Sequence, residues 1–130
     1  MGTHLEVMCA IASVVKAPVI VDIDIGFGNT VNVSYVIPQN EMASISVVVM
    51  QDQTFSKTRA CAPGGWQKLV NLETFQGKIS AAIDVRQENN LVIIARIEAL
   101  IAGLGQENAL RLAYAYQEAG VDAILGQTVY

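Results

Sequence analysis

Val19-Ile20-Val21-Asp22-Ile23, with the turn Gly26-Phe27-Gly28-Asn29 behind it, decides the architecture. The run is short, β-branched and apolar on both faces, as a buried parallel strand is. Ala17-Pro18 closes whatever helix precedes it, because proline lacks the N–H that a helix interior needs. That helix is signalled by Thr3-x-x-Glu6, a capping box, and by Leu5, Met8, Ile11, Ala12 and Val15 at helical spacing.

Downstream the same alternation repeats. Val33, Val36, Ile37 and Met42 mark a second helix, which Pro38 either kinks or ends early. Ile45 to Met50 reads as a second buried strand. From Gln51 to Lys68 periodicity is lost and Ala62-Pro63-Gly64-Gly65 collects, which suits a functional loop. Asn71 caps a third helix striped with Leu72, Phe75, Ile79, Ala82 and Ile83, and Asn89-Asn90 separates it from a strand over 91–95. A last helix, faced by Ala109, Leu110, Ala113 and Tyr116 and stopped at Gly120, leads to a strand over 121–125.

The order α-βα-βα-βα-β shows no composition break, so residues 1–130 read as a single α/β domain with right-handed crossovers and neighbouring parallel strands. Eight such units close a barrel of about 250 residues. The expected fold is therefore a partial (β/α)8 TIM barrel of about four parallel strands. Its outer strands are unpaired edges and one sheet face is uncovered. The composition agrees, with 52% hydrophobic residues, 15% charged and a mean hydropathy of +0.39. Self-association through the open edges is the expected consequence.

Composition also excludes functions. No run approaches the ~18 uninterrupted apolar residues of a membrane span. Lys16, Asp22, Asp24, Ser46 and Arg96 interrupt the most apolar segments. A net charge of −4 with scattered Lys and Arg argues against nucleic acid. No secretory pattern opens the chain, so a cytoplasmic location is expected. Cys9 and Cys61 read as free thiols, and His4, the sole histidine, as a surface residue that supports no triad. Gly26-x-Gly28 begins a dinucleotide fingerprint, but Val31 occupies the third glycine position.

Polar residues gather at the carboxyl ends of the strands, the rim where barrel enzymes build their sites: Asp22 and Asp24, Gln51 and Asp52, Arg96 and Glu98, and Gln127. Two carboxylates at i and i+2 on a strand end point the same way and can face a hard cation, or else cap the turn. A guanidinium at Arg96 can hold a phosphonate or carboxylate on two prongs, or else pair with Glu98 or Asp52.

Val21-Asp22-Ile23-Asp24-Ile25-Gly26-Phe27-Gly28-Asn29 resembles the metal-binding signature of the phosphoenolpyruvate mutase and isocitrate lyase superfamily, with Ile25 where a Thr is usual. Residues 31–39 (Val-Asn-Val-Ser-Tyr-Val-Ile-Pro-Gln), 75–79 (Phe-Gln-Gly-Lys-Ile) and 94–106 are similar to its phosphonopyruvate-hydrolysing branch, at matching spacing. The resemblance covers nearly the whole chain. It implies Mg²⁺-dependent cleavage of the carbon–phosphorus bond of 3-phosphonopyruvate, with Mn²⁺ or Co²⁺ as substitutes. By the same resemblance Asp22 is the direct metal ligand, Asp24 holds metal-bound water, Gln51 stands at an outer-shell carboxylate position, Arg96 binds the anion, and Lys57 belongs to a gating loop.

The same comparison marks departures. Gln51 replaces a carboxylate, Arg59 and Ala60 replace a substrate-contacting Thr and Ser, and Gln127 stands where a histidine is expected. Arg59 remains a candidate substrate contact. Sibling chemistry competes with hydrolysis: the mutase, which carries an Asn at the Arg59 position, or an isocitrate lyase-type enzyme. The lyase loop Lys-x-Cys-Gly-His is not matched, because Cys61 is followed by Ala62-Pro63. A third reading is an inert remnant that self-associates or binds full-length relatives.

Overall fold

The structure is a computed structural model and describes residues 2–53, 71–87 and 90–127. The elements in order are α1 (Gly2–Val14), β1 (Ile20–Asp22), α2 (Thr30–Met42), β2 (Val47–Gln51), α3 (Leu72–Val85), β3 (Val92–Ile97), α4 (Gly105–Glu118) and β4 (Ala123–Gly126). The strands form one parallel four-stranded sheet in the order β1-β2-β3-β4. This is the expected partial (β/α)8 barrel.

Register sorts the side chains onto two faces. Val21, Val48, Met50, Ile93, Ala95 and Ile97 share the face covered by helices, and all are buried against Val33, Val36 and Ile37 of α2 and Phe75, Ile79 and Ala82 of α3. Ile20, Asp22, Val47, Val49, Gln51, Ile94, Arg96 and Leu125 share the other, concave face. That face is only partly covered: Ile20 is 64% exposed and Leu125 45%. The strands are thus apolar on both faces, as the sequence implied, but only one face is fully packed, the other being buried at Val49 and Gln51 and open at Ile20 and Leu125. All of β4 is exposed, and within the described residues β1 and β4 each pair on one edge alone.

Local chemistry sets the helix ends. Asn29 caps α2 by accepting from the N–H groups of Val31 and Asn32, while the Asn32 side chain accepts from Asn29 N–H, a reciprocal box. Asn71 caps α3 as expected, accepting from Glu73 and Thr74. At the opposite end of the sheet Arg86 donates to Asp122 (2.5 Å) and to the Leu91 carbonyl (2.9 Å), tying α3 to the entries of β3 and β4.

Several expectations need correction. α2 runs through Pro38 to Met42, and Met42 is 80% exposed rather than inward. On α4 the buried residues are Leu112 and Tyr116, while Leu110 is exposed. α1 begins at Gly2, so Thr3 lies inside its first turn, and none of its residues is fully buried. Met8 and Ala12 still pack on the core. His4 is half-buried, its ring edge-on to Phe27 at 5.3 Å between centroids. Cys9 is a free, exposed thiol, whereas Cys61 lies outside the described residues.

Candidate active site

The rim is built where β1, β2 and β3 end together. Parallel pairing sets Gln51 beside Arg96, and Asp22 one pleat earlier on the same face. β3 continues to Ile97, so Arg96 is held within the ladder instead of trailing from its end.

Arg96 organises the cluster. Its Nε donates to Glu98 Oε1 (2.6 Å), one Nη to Asp22 Oδ2 (3.1 Å) and the other to Gln51 Oε1. Glu98 is almost wholly buried, Arg96 is 19% exposed and Asp22 40% at their side chains. Of the two readings of Arg96, the ion pair is the one the geometry displays. Glu98 is its firm partner; Asp52, the other candidate, is engaged elsewhere.

Asp22 and Asp24 do not share a strand face. β1 stops at Asp22, and Asp24 adopts a left-handed backbone, φ +51°, from which its N–H donates to Asp22 Oδ1 at 2.8 Å. The turn that follows is tight. Gly26, at φ +88°, sits under Val33 and Met50 and donates its N–H to the Ile23 carbonyl (2.9 Å), and Asp24 O accepts from Gln51 N–H (2.7 Å). The turn ties the Asp24 backbone to the Asp22 carboxylate, and the i, i+2 spacing along a strand does not describe the pair.

Lys78 was not singled out by its type. It lies on the buried stripe of α3, nearly inaccessible, and its Nζ donates to the Ile25 carbonyl at 2.9 Å, pinning the same turn from behind. Burial pulls its ammonium below the usual lysine range. Its position three residues after Phe75 and one before Ile79, on an apolar stripe, was the available signal.

Asp52 was read as a rim residue and in fact turns toward the helices. Fully buried, it accepts from Tyr116 Oη at Oδ2 (2.7 Å) and from Glu98 N–H at Oδ1 (3.0 Å). Burial raises its carboxyl above the ordinary aspartate range, with the Tyr116 and Glu98 bonds opposing. Burial, then the Asp52 charge, raises the Tyr116 phenol. Gln53 is also buried, and its Nε2 has no hydrogen-bond partner among the described residues. Gln127 is exposed just beyond β4. Lys57, Arg59 and Ala60 lie outside the described residues.

The donor set suits a hard cation that keeps most of its water. Asp22 and Asp24 are oxygen donors near solvent, and Mg²⁺ is commonly held by one or two carboxylates with water and substrate completing its shell. Among the described residues no three acidic, histidine or cysteine side chains converge as a ready metal cage. Both Asp22 oxygens already accept hydrogen bonds, so a cation there replaces Arg96 as the partner of Oδ2.

A parallel sheet with polar residues converging on the carboxyl ends of its strands defines the class: a (β/α)8-type scaffold carrying a rim of charged and polar side chains. The phosphoenolpyruvate phosphomutase family model matches residues 1–129, and the chain belongs to that family. It is similar to the phosphonopyruvate hydrolase of Variovorax sp. (strain Pal2), at 58% identity over 96% of this chain and 43% of that protein. With the phosphoenolpyruvate phosphomutase of Tetrahymena pyriformis it shares 39% over 93% of this chain and 40% of that protein. A crystal structure of phosphonopyruvate hydrolase in complex with oxalate and Mg²⁺ superposes with a TM-score of 0.87, at 56% identity, covering 98% of this chain and 43% of that one. The chain thus spans about two fifths of the length of these relatives.

Proposed function

We propose that this chain carries the cation- and anion-binding part of a cytoplasmic phosphonopyruvate hydrolase-type site, for Mg²⁺-dependent hydrolysis of the carbon–phosphorus bond of 3-phosphonopyruvate to pyruvate and phosphate. The observation that carries the reading is the Asp22–Arg96–Gln51 cluster at the strand ends, built on the concave face of the sheet. The substrate class is a small phosphonate or 2-oxo acid. No helix in the described residues is long and apolar enough to cross a membrane, and the chain's acidic balance does not favour nucleic acid.

In this reading Asp22 is the direct ligand, Asp24 orders a metal-bound water, and Gln51 stands beside them while accepting from Arg96. Mg²⁺, or Mn²⁺ or Co²⁺ in its place, supplies positive charge where negative charge collects on the 2-oxo oxygen. Arg96 holds the anionic end of the substrate, exchanging its Asp22 and Gln51 contacts for substrate oxygens while Glu98 keeps Nε in place. Lys57 and Arg59 are the loop residues assigned to substrate contact and closure. The bond breaks with its electron pair left on C3. Water divides between the products, its hydroxyl going to phosphorus and its proton to C3.

A second reading is favoured by one observation: β4 is wholly exposed, and Ile20, Ile124 and Leu125 lie uncovered at the two sheet edges. It holds that the chain is an inactive remnant that self-associates or joins full-length relatives. Purified chain supplied with Mg²⁺ and 3-phosphonopyruvate, with pyruvate release followed in time, separates the two. Turnover above the uncatalysed rate that EDTA abolishes supports the hydrolase. No turnover, together with concentration-dependent association in sedimentation, supports the remnant.

A further inference from the structure

A buried chain of contacts runs from the helix layer to the rim. The Tyr116 hydroxyl on α4 donates to Asp52 Oδ2 (2.7 Å), Asp52 Oδ1 accepts from Glu98 N–H (3.0 Å), and Glu98 Oε1 accepts from Arg96 Nε (2.6 Å). The ladder adds a crosspiece, since Asp52 N–H donates to the Arg96 carbonyl at 3.2 Å. Tyr116 and Asp52 are fully buried, Glu98 is 2% exposed, and the Tyr116 ring is held by Phe75, 4.7 Å away between centroids.

We infer that Tyr116 is a positioning residue for Arg96: its hydroxyl fixes Asp52, Asp52 fixes the backbone of Glu98, and Glu98 aims the guanidinium along the rim. The inference rests on the reading of Arg96 as the anion-binding group, but its physical content does not. Each oxygen of the buried Asp52 carboxylate has one donor in these contacts, and neither donor is a cation. Removing the phenolic hydroxyl leaves Oδ2 without a partner where water does not reach, and such a group turns or takes up a proton. Either response loosens the Asp52 hold on Glu98 N–H. Glu98 lies beyond the end of β3, so this bond sets where its side chain begins. Tyr116→Phe removes the hydroxyl alone and leaves the ring against Phe75.

The test reads hydrogen exchange at Arg96 Nε–H by NMR, the resonance assigned by its loss in Arg96→Lys. In the unaltered chain the proton is protected by Glu98. Tyr116→Phe is expected to speed its exchange about 10-fold or more, the loss of a charge-assisted hydrogen bond, while amides of Val36 and Ile79 in the core keep their protection. Unchanged Nε–H exchange overturns the inference, as does a loss shared equally with the core amides, which marks a purely structural tyrosine. Should Tyr116→Phe fail to fold, Asp52 carries the same test. Asp52→Asn keeps an acceptor for Glu98 N–H and a polar partner for Tyr116, and retains the protection. Asp52→Leu loses it, and equal exchange in these two variants also overturns the inference. Calorimetry with Mg²⁺ and oxalate is a separate arm. Absence of binding to the unaltered chain rejects the functional reading and leaves the exchange result standing. Where the unaltered chain binds, Tyr116→Phe weakens oxalate by about 10-fold.

Discussion

Gly26→Ala isolates the cost of the turn that carries Asp24. Gly26 has φ +88°, and an alanine Cβ there meets Val33 Cγ2 at 2.5 Å and Met50 Sδ at 3.3 Å. Gly103 provides the control: φ +77°, with nothing within 4 Å of the added carbon. A left-handed alanine costs about 1–2 kcal/mol, offset by about 0.4–1 kcal/mol because alanine has less freedom to lose on folding. Gly103→Ala is therefore expected to lower stability by about 0–1.6 kcal/mol. Gly26→Ala bears the same backbone cost and adds overpacking of about 1–3 kcal/mol, for a total of about 1–4.6 kcal/mol. Val33 is buried in α2 and Met50 in β2, so neither withdraws without moving its element. Urea denaturation of both variants gives the difference directly. A gap below about 0.5 kcal/mol refutes the reasoning, because it means that the turn relaxes away from Val33 at little cost. On the proposed function, the corollary is weaker Mg²⁺ binding in Gly26→Ala alone, since a displaced turn breaks the Asp24 N–H to Asp22 contact.

Three further outcomes follow from named contacts. Asp52 has its carboxyl raised by burial, so the folded state holds that proton more tightly than the unfolded chain. Its stabilising contribution is full below the ordinary value of 3.8 and is lost as pH rises through the raised folded value. The stability of the unaltered chain relative to Asp52→Asn should fall as pH climbs from about 4 toward neutrality, read from urea midpoints; a rise contradicts it. Lys78 has the opposite sign: its folded value is lowered, so its favourable contribution is present above 10.5 and lost as pH falls through the lowered value. Relative to Lys78→Met, the unaltered chain should gain stability with pH in that window, and a flat difference shows that the ammonium is not desolvated. Asn29→Ala removes the acceptor for Val31 and Asn32 N–H and should cost about 1 kcal/mol in thermal or urea unfolding, whereas Asn108→Ala, which gives up one exposed bond to the Leu104 carbonyl and frees no helix N–H, should cost less.

Periodicity made the sheet order and the helix layer legible, because a strand between two helices has few ways to pack. It failed where an apolar residue faces an open surface. Leu110 lies with Ala113, Tyr114, Val121 and Ile124 in a groove of about 250 Å³ beside β4, so α4 carries two apolar faces and the sequence does not say which is filled. The site was legible as residue types at strand ends, and Arg96 with Glu98 was among the alternatives. The geometry of Asp24 was not, because the i, i+2 argument assumes a strand that continues past Asp22, and φ +51° ends it. Nor was the Tyr116–Asp52 bond, which joins residues 64 apart and leaves no mark on local spacing. Lys57 and Arg59 fall outside the described residues, so their assignments rest on resemblance.

Arg96 is already paired within the rim, and this shapes how any ligand enters. Arg96 has all three nitrogen positions engaged, by Glu98, Asp22 and Gln51. An incoming dianion that takes over the Asp22 or Gln51 contact gains only the excess of its own bond over the one it displaces. The Glu98 contact is buried and costly to break, whereas Asp22 is 40% exposed and its release is cheap once a cation takes over the freed oxygen. On the proposed function, cation and anion entry are coupled by this exchange: Mg²⁺ at Asp22 would free a prong of Arg96, and an anion on Arg96 would free Asp22 for the metal. By linkage each should tighten the other by the same factor. Gln51 sharpens the point, since a neutral amide beside Arg96 offers the guanidinium no charge to leave behind, and it yields that prong to a phosphonate more readily than a carboxylate does.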